Sequence, residues 1–198
     1  MTGRGFLLLA AGVAVLATPV AITAGPAAGA ASAPLAAASQ PVPPSAILPT
    51  PPSVILIDGR TGAVLFEQGA DVRRPPASTT KVLTAILAIE RLPPDRLVTI
   101  SPRAAAQRSG SAIGLEVGER WRVDDLFHAL MIASANDAAV ALAEAVAGSV
   151  ERFGDLMNQK ARALGAEHST FVVPHGLHHP RHQTTARDLA RITRYALR

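Results

Sequence analysis

Two short runs of apolar and β-branched residues enclose a polar turn. The runs are 53–57 (SVILI) and 63–67 (AVLFE), and the turn between them is DGRTG at 58–62. Such runs around a glycine-bearing turn predict a β-hairpin. Because two strands alone are only marginally stable in water, we expect further strands or a helix to cover this hairpin.

A longer apolar segment follows and has the length of a helix. It begins near Ser78 and is ended by the prolines at 93–94. Apolar side chains leave little polar face before Glu90 and Arg91, so we expect this helix to be buried on most sides.

The second half of the chain is predicted to be mostly helical. Residues 95–123 are irregular, because their glycines interrupt any periodicity. The helices predicted after them run from Asp124 to Ile132, from a cap at Asp137 to Gly148, from Ser149 to Gly165, and from a cap at Thr185 through Leu189 and Ile192. The fold class is therefore α/β or α+β, with a sheet that is short of strands.

The N-terminal quarter is predicted to lie outside this domain. Residues 1–33 combine a basic start, an apolar run at 6–22 and a small-residue end, which is the order of a signal peptide. An uncleaved anchor is the alternative, because the apolar run approaches the roughly 20 residues that span a bilayer. Residues 34–52 are rich in Pro and Ala and predict a semi-rigid linker. The folded domain is then 53–198, in an exported protein.

Composition excludes some sources of stability and some partners. The chain has no cysteine, which excludes disulfides and a lipid-modified N-terminal cysteine. The net charge is +4. Without interleaved aromatic residues, this mild basicity favours a solvated surface over a nucleic-acid interface.

Lysine is rare in this chain, and its placement suggests chemistry. Lys81 and Lys160 are the only lysines, and Lys81 stands three residues after Ser78 at the start of the apolar helix. Residues i and i+3 share a helix face, so the two side chains can meet. The positive end of the helix dipole and burial both lower a lysine pKa, and a neutral lysine can activate a serine nucleophile. Arginine would stay protonated. S-x-x-K also occurs by chance, and Lys160, with no such serine, is assigned no role.

A second polar group interrupts the helical half. Ser134-Ala135-Asn136 falls at the break between two predicted helices. Serine and asparagine are common turn and cap residues, which is the structural explanation of this tripeptide. The catalytic alternative is that Ser134 relays a proton with Lys81 while Asn136 hydrogen-bonds a substrate amide or the lysine.

Together these motifs resemble the serine D-alanyl-D-alanine carboxypeptidases, the low-molecular-mass penicillin-binding proteins, in which S-x-x-K supplies the nucleophile. The middle motif of that family is S-x-N, here S-A-N. The resemblance covers about residues 53–198 and is highly specific. It extends over DGRTGAVL at 58–65, LEVGE at 115–119, SANDAA at 134–139 with LAE at 142–144, and FVVPHGL at 171–177, where Val173 stands at a usual asparagine.

The resemblance implies a periplasmic or outer-surface enzyme that removes the terminal D-alanine from peptidoglycan stem peptides through an acyl-enzyme on Ser78. It implies Lys81 as general base, Ser134 as proton relay, Asn136 as the substrate-binding residue, and no cofactor or metal. β-Lactams would acylate the same serine. The implied fold is the penicillin-binding transpeptidase type, with a helical subdomain beside an antiparallel sheet. If residues 6–22 are retained, they imply membrane association.

One family motif is missing from the chain. No K-T-G follows the S-x-N motif, and Arg60-Thr61-Gly62 lies in the hairpin turn before the nucleophile, so its letters are a coincidence. We therefore expect an incomplete catalytic domain that lacks the K-T-G strand of its sheet, as in a truncated or fragmentary form. Loss of one oxyanion-hole donor costs about 10²–10³ in rate, so loss of a cleft wall should cost more.

Three alternatives stay open at this stage. A non-catalytic envelope protein that binds peptidoglycan or a partner would retain the helical half without K-T-G. A class A β-lactamase fits the S-A-N and P-H-G-L contexts less well. The histidines at 175, 178, 179 and 182 form a cluster that can bind zinc, but the chain does not offer the acidic framework of a zinc D,D-peptidase.

Overall fold

The computed structural model describes residues 6–9 and 52–198. Strands and helices follow one another in the order β1 (Phe6–Leu9), β2 (Val54–Asp58), β3 (Val64–Gln68), a 3-10 helix (Ala77–Thr80), α1 (Lys81–Arg91), β4 (Leu97–Thr99), α2 (Pro102–Ala105), β5 (Arg120–Arg122), α3 (Val123–Ile132), α4 (Asn136–Ala147), α5 (Val150–Ala163) and α6 (Ala186–Ala196).

The predicted hairpin is present as β2 and β3, and it lies in a three-stranded antiparallel sheet of order β1-β2-β3. One face of β2 is covered by α6, where Ile55 and Ile57 cluster with Ala190. All five residues of β3 are exposed, including Phe66. The expectation that further strands or a helix cover the hairpin is therefore confirmed for β2, while β3 remains open to solvent.

Helix α1 is the central element of the helical part and contacts α3, α4, α5 and α6. Its buried residues divide between two apolar clusters, with Ala85 and Ala88 facing α3 and α4 and with Leu83 and Leu87 facing α5. The prediction that this helix is buried on most sides is confirmed, except that Ile89 is largely exposed. Apolar side chains therefore enclose the middle of α1, from Leu83 to Ala88.

The segment 95–123 contains more structure than its sequence predicts. Strands β4 and β5 pair as a small antiparallel sheet, and the short helix α2 is capped by Ser101, whose hydroxyl accepts the N–H of Ala104. The strands are three residues long, which is too short for a period-2 pattern to be recognised.

The predicted cap at Thr185 and the predicted helix start at Ser149 are confirmed, and the predicted cap at Asp137 is wrong. Ser149 caps α5 and Thr185 caps α6, each through its side-chain oxygen. Asp137 is not the cap of α4, because the helix already begins at Asn136. The Asp137 carboxylate instead accepts hydrogen bonds from the backbone of residues 113–115.

The predicted signal peptide and linker lie outside the described residues, apart from residues 6–9 and Pro52. Residues 6–9 form β1, which pairs with β2 from Phe6 opposite Asp58 to Leu9 opposite Ile55. The sequence did not predict this strand. Within the described part of the chain, none of the helices has both the length and the hydropathy needed to cross a membrane.

Candidate active site

The turn that leads into α1 holds the predicted nucleophile. Ser78 lies in the 3-10 helix, and the α-helix proper begins only at Lys81, three residues later than the sequence pattern suggests. Ala77, just before Ser78, has φ of 49°, a left-handed conformation that is costly for a residue with a side chain. The turn exposes Ser78, while Lys81 is only 3% exposed.

The structure brings Ser78 and Lys81 together as predicted. Lys81 Nζ lies 3.1 Å from Ser78 Oγ and donates a second hydrogen bond of 3.0 Å to the carbonyl oxygen of His175. Burial lowers the pKa of Lys81 to about 8. Both partners are uncharged, so neither compensates the ammonium with a full negative charge. The neutral amine is therefore much more populated near physiological pH than it is in an ordinary exposed lysine.

Ser134 lies at the predicted break between α3 and α4. It has φ of 55° and is half-buried, so a strained turn fixes its position. Among residues 52–198, no hydrogen bond joins its side chain to Ser78 or Lys81. The two residues of S-x-x-K are thus in direct contact, whereas Ser134 is not bonded to either.

Asn136 is buried at the start of α4 and keeps one polar atom without a partner. Its Nδ2 donates to the carbonyl of Ser109 at 2.7 Å, and its backbone N–H donates to the carbonyl of Ser111 at 2.8 Å. Its Oδ1 has no hydrogen-bond partner in the described structure. Because buried polar atoms are normally paired, this oxygen is available to accept a hydrogen bond from a ligand. No bond joins Asn136 to Lys81 among these residues.

Sequence reasoning missed the loop that packs beside Asn136. A Cβ at Gly110 would lie 2.9 Å from Asn136 Nδ2, so the loop backbone approaches the amide closely. Asp137 Oδ2 accepts the N–H groups of Ile113, Gly114 and Leu115 at 3.1, 2.9 and 3.1 Å. The S-A-N-D tetrapeptide therefore orders its own neighbouring loop. The sequence shows only an aspartate directly after the motif, which was interpreted as a helix cap.

Sequence reasoning did not place the loop 170–183 beside Ser78 and Lys81. Thr84 Oγ1 donates to the carbonyl of Pro174 at 2.7 Å. His182 Nδ1 accepts the N–H of Val172, so its proton lies on Nε2, which donates to Thr80 Oγ1 at 2.9 Å. Burial lowers the pKa of His182 to about 4, so the ring stays neutral. The P-H-G-L letters identified this loop only through the family resemblance.

The clustered histidines do not converge on one point. His182 contacts Thr80 and Val172, and His175 Nδ1 accepts the N–H of Leu177. Among the described residues, no group of three or more His, Asp or Glu side chains is placed to hold a metal ion.

Comparisons with known proteins identify the class. A family model described as D-alanyl-D-alanine carboxypeptidase, peptidase family S11, matches residues 42–198. The chain belongs to this family, as the motifs predicted.

The relatives share both sequence and fold with this chain. D-alanyl-D-alanine carboxypeptidase DacF of Bacillus subtilis is 40% identical over 143 residues, which are 70% of this chain and 36% of DacF. The crystal structure of DacD from Francisella tularensis is similar with a TM-score of 0.71 at 38% identity, over 74% of this chain and 36% of that one. Penicillin-binding protein D2 from Listeria monocytogenes, solved in a cefotaxime-bound form, has a TM-score of 0.65 at 28% identity, over 74% of this chain and 61% of that one.

These similarities confirm the predicted penicillin-binding fold, as a partial one. The chain spans about a third of the length of curated relatives such as DacF and the carboxypeptidase DacC of Escherichia coli.

Proposed function

We propose that this protein is an exported serine-type D-alanyl-D-alanine carboxypeptidase with Ser78 as its nucleophile. One observation carries the proposal, which is the 3.1 Å contact between an exposed serine hydroxyl and a buried lysine whose pKa is lowered to about 8. A neutral amine beside a hydroxyl is an arrangement that activates serine. Membership of the S11 family supports the substrate class, the D-Ala-D-Ala end of a peptidoglycan stem peptide.

In the proposed reaction, Ser78 Oγ attacks the carbonyl carbon of the penultimate D-alanine. The hydroxyl proton passes to neutral Lys81 Nζ as the Oγ–C bond forms. The C–N bond of the peptide then breaks, and the terminal D-alanine leaves with its nitrogen protonated. Water hydrolyses the ester, which restores the hydroxyl and releases the shortened peptide.

The roles of Ser134 and Asn136 belong to the same proposal. The unpartnered Oδ1 of Asn136 accepts a hydrogen bond from a substrate amide. Ser134 relays the proton from Lys81 toward the leaving nitrogen once a bound peptide bridges them. The fixed φ of 55° at Ser134 supports a role that needs a defined position.

β-Lactams react at the same serine in this proposal. Ring opening breaks the lactam C–N bond, but the nitrogen stays tethered to the acyl group. The leaving group therefore remains beside the ester and does not diffuse away. The cefotaxime-bound relative from Listeria supports this class of inhibitor. A long-lived covalent adduct follows, which gives a direct assay.

The test is covalent labelling of the full chain with a fluorescent penicillin. The wild type is expected to carry the label through denaturing electrophoresis, and Ser78→Ala is expected to carry none. Ser111→Ala is the matched control, because this serine is exposed and its backbone carbonyl makes the contact to Asn136. A folded wild-type chain that takes no label would sink the carboxypeptidase proposal and favour the non-catalytic envelope protein.

Export is a separate part of the proposal. Residues 1–33 direct the chain across the cytoplasmic membrane, with the alternative that residues 6–22 remain as an anchor. The order of basic, apolar and small residues supports it. Fusing residues 1–33 to a reporter enzyme that is active only outside the cytoplasm tests it. N-terminal sequencing of the product distinguishes cleavage from anchoring, and an inactive reporter contradicts export.

A further inference from the structure

The loop 170–183 contacts the nucleophile region through several buried bonds, and one of them reaches the general base itself. Lys81 Nζ donates to the backbone carbonyl of His175, while Thr84 Oγ1 holds the preceding carbonyl of Pro174. The position of the His175 carbonyl therefore decides where the amine points when it meets Ser78.

The side chain of the same histidine is tied to the next turn of backbone. His175 is 7% exposed, and its Nδ1 accepts the N–H of Leu177 at 3.1 Å. This bond spans two residues, as an Asx-turn does, and closes a small ring of atoms around Gly176.

The surroundings of Gly176 show how closely the 175–177 turn packs against the nucleophile turn. Gly176 has φ of +85°, and a Cβ there would overlap the carbonyl group of Ala77, the residue before Ser78. The turn at 175–177 is pressed against the nucleophile turn, so a small rotation moves the His175 carbonyl away from Lys81.

We propose that His175 is a positioning residue for the general base, whose imidazole fixes the 175–177 turn and thereby aims its own backbone carbonyl at Lys81 Nζ. This inference rests on the proposed function, because it assigns a purpose to the placement of that amine. It requires an acceptor on the side chain at the Nδ1 position.

The charges around the ring favour this acceptor. Burial first, and then coulombic interactions with Lys81, His182 and Arg103, lower the pKa of His175 to about 4. The ring is therefore neutral at the working pH of an envelope enzyme, with its Nδ1 lone pair directed at the Leu177 N–H.

Two substitutions separate positioning from simple space filling. In asparagine, Oδ1 is the same number of bonds from Cα as Nδ1 of histidine, so His175→Asn keeps an acceptor for the Leu177 N–H. In glutamine the acceptor is one bond further out, so His175→Gln loses it while retaining a polar side chain of similar size. His178→Gln is the matched control on the exposed neighbouring histidine.

Because Lys81 and Lys160 are the only lysines, NMR of the full chain with isotope-labelled lysine gives two side-chain signals, assigned with Lys160→Arg. We expect His175→Asn to keep the low pKa of Lys81 and the exchange protection of the Leu177 amide. We expect His175→Gln to lose that protection and, by admitting water to the amine, to raise the pKa of Lys81. Penicillin acylation should slow about 10²-fold in His175→Gln and stay near wild type in His175→Asn, as expected for a misplacement of about 1 Å.

The proposal is overturned if His175→Asn and His175→Gln give the same Lys81 pKa and the same Leu177 protection. Denaturant unfolding of both variants shows whether they are folded, and an unfolded glutamine variant beside a folded, wild-type-like asparagine variant still supports the acceptor requirement. Failure of the proposed function is recognised separately. In that case the wild type takes no penicillin label, but the two lysine titrations and the Leu177 amide still test the positioning role.

Discussion

The two lysines of this chain lie on helices within the same domain, but their surroundings differ. Lys81 is enclosed at the start of α1, and its partners are a hydroxyl and a carbonyl. Lys160 lies on α5 near the protein surface. Its Nζ is 2.6 Å from Glu90 and 4.1 Å from the centre of the Tyr195 ring. Although partial burial lowers the pKa of Lys160, its hydrogen bonds to Glu90 and Tyr195 raise it above the ordinary value.

The difference shows that burial and partner charge together set the pKa of a lysine. A carboxylate stabilises the ammonium and keeps Lys160 as a structural cation. Neutral acceptors in a buried region leave the ammonium of Lys81 uncompensated, which favours the amine. The same residue type thus has a lowered pKa at one site and is an ion-pair partner at the other.

Exchanging each lysine for arginine tests this contrast with the largest expected effect. Lys81→Arg places a permanent charge beside Ser78, so no base remains, and penicillin acylation should fall by about 10²–10⁴-fold. Lys160→Arg keeps the charge opposite Glu90 and should leave acylation unchanged. Labelling rates of the two variants, measured beside Ser78→Ala, give the comparison. Equal rates for Lys81→Arg and the wild type would remove Lys81 from the mechanism.

The enclosure of Lys81 depends on the close approach of the loop 170–183, which Gly176→Ala should disrupt. The added Cβ would overlap the Ala77 carbonyl group and lie 2.8 Å from Thr80 Oγ1. Gly118→Ala is the matched control, because Gly118 has the same φ of +85° but nothing within 4 Å of its Cβ position.

Both variants share the cost of a left-handed residue with a side chain, about 1–2 kcal/mol. Gly176→Ala should cost about 1–3 kcal/mol more in free energy of unfolding, from overpacking. Denaturant unfolding measures both, and NMR should show the pKa of Lys81 rising only in Gly176→Ala. Equal losses of stability in the two variants would contradict the close packing of the loop.

The pH dependence of acylation and of stability provides a third test of the difference between the two lysines. Below the Lys81 pKa of about 8, the fraction of neutral amine falls about tenfold per pH unit, so acylation should fall with it and level off above that pH. An unfolded lysine keeps its proton up to about pH 10.4. The unfolded state therefore binds more protons between about pH 8 and 10.4, and the contribution of Lys81 to stability decreases as pH falls through that window. Acylation that stays flat from pH 6 to 9 would contradict the neutral amine.

Sequence predicted the features that local spacing determines. The i, i+3 spacing placed Ser78 and Lys81 on one face, and the caps Ser149 and Thr185 follow from contacts within four residues. The S-A-N tripeptide was correctly located at a helix break.

Features that depend on distant residues were not predictable in this way. The His175 carbonyl reaches Lys81 across 94 positions, and Asp137 binds the backbone more than 20 positions earlier. The left-handed conformation of Ala77, with φ of 49°, could not be predicted from the residue type, because alanine normally avoids that region. Strands β4 and β5 are stabilised by pairing with each other, and neither contains enough residues for a pattern of its own.

The smallest expected effect concerns the ion pair of Lys160. Lys160→Met keeps an apolar stem of similar length but removes the ammonium between Glu90 and Tyr195. Because the Lys160 side chain is 18% exposed and that of Glu90 31%, the pair should contribute only about 1 kcal/mol, and salt should reduce it. Urea unfolding at low and high ionic strength measures this, with acylation of Ser78 expected to stay at the wild-type rate. Because Lys81 and Lys160 have different hydrogen-bond partners, the pKa of Lys81 should not change when Lys160 is removed. A change in that pKa would show that the two regions are coupled.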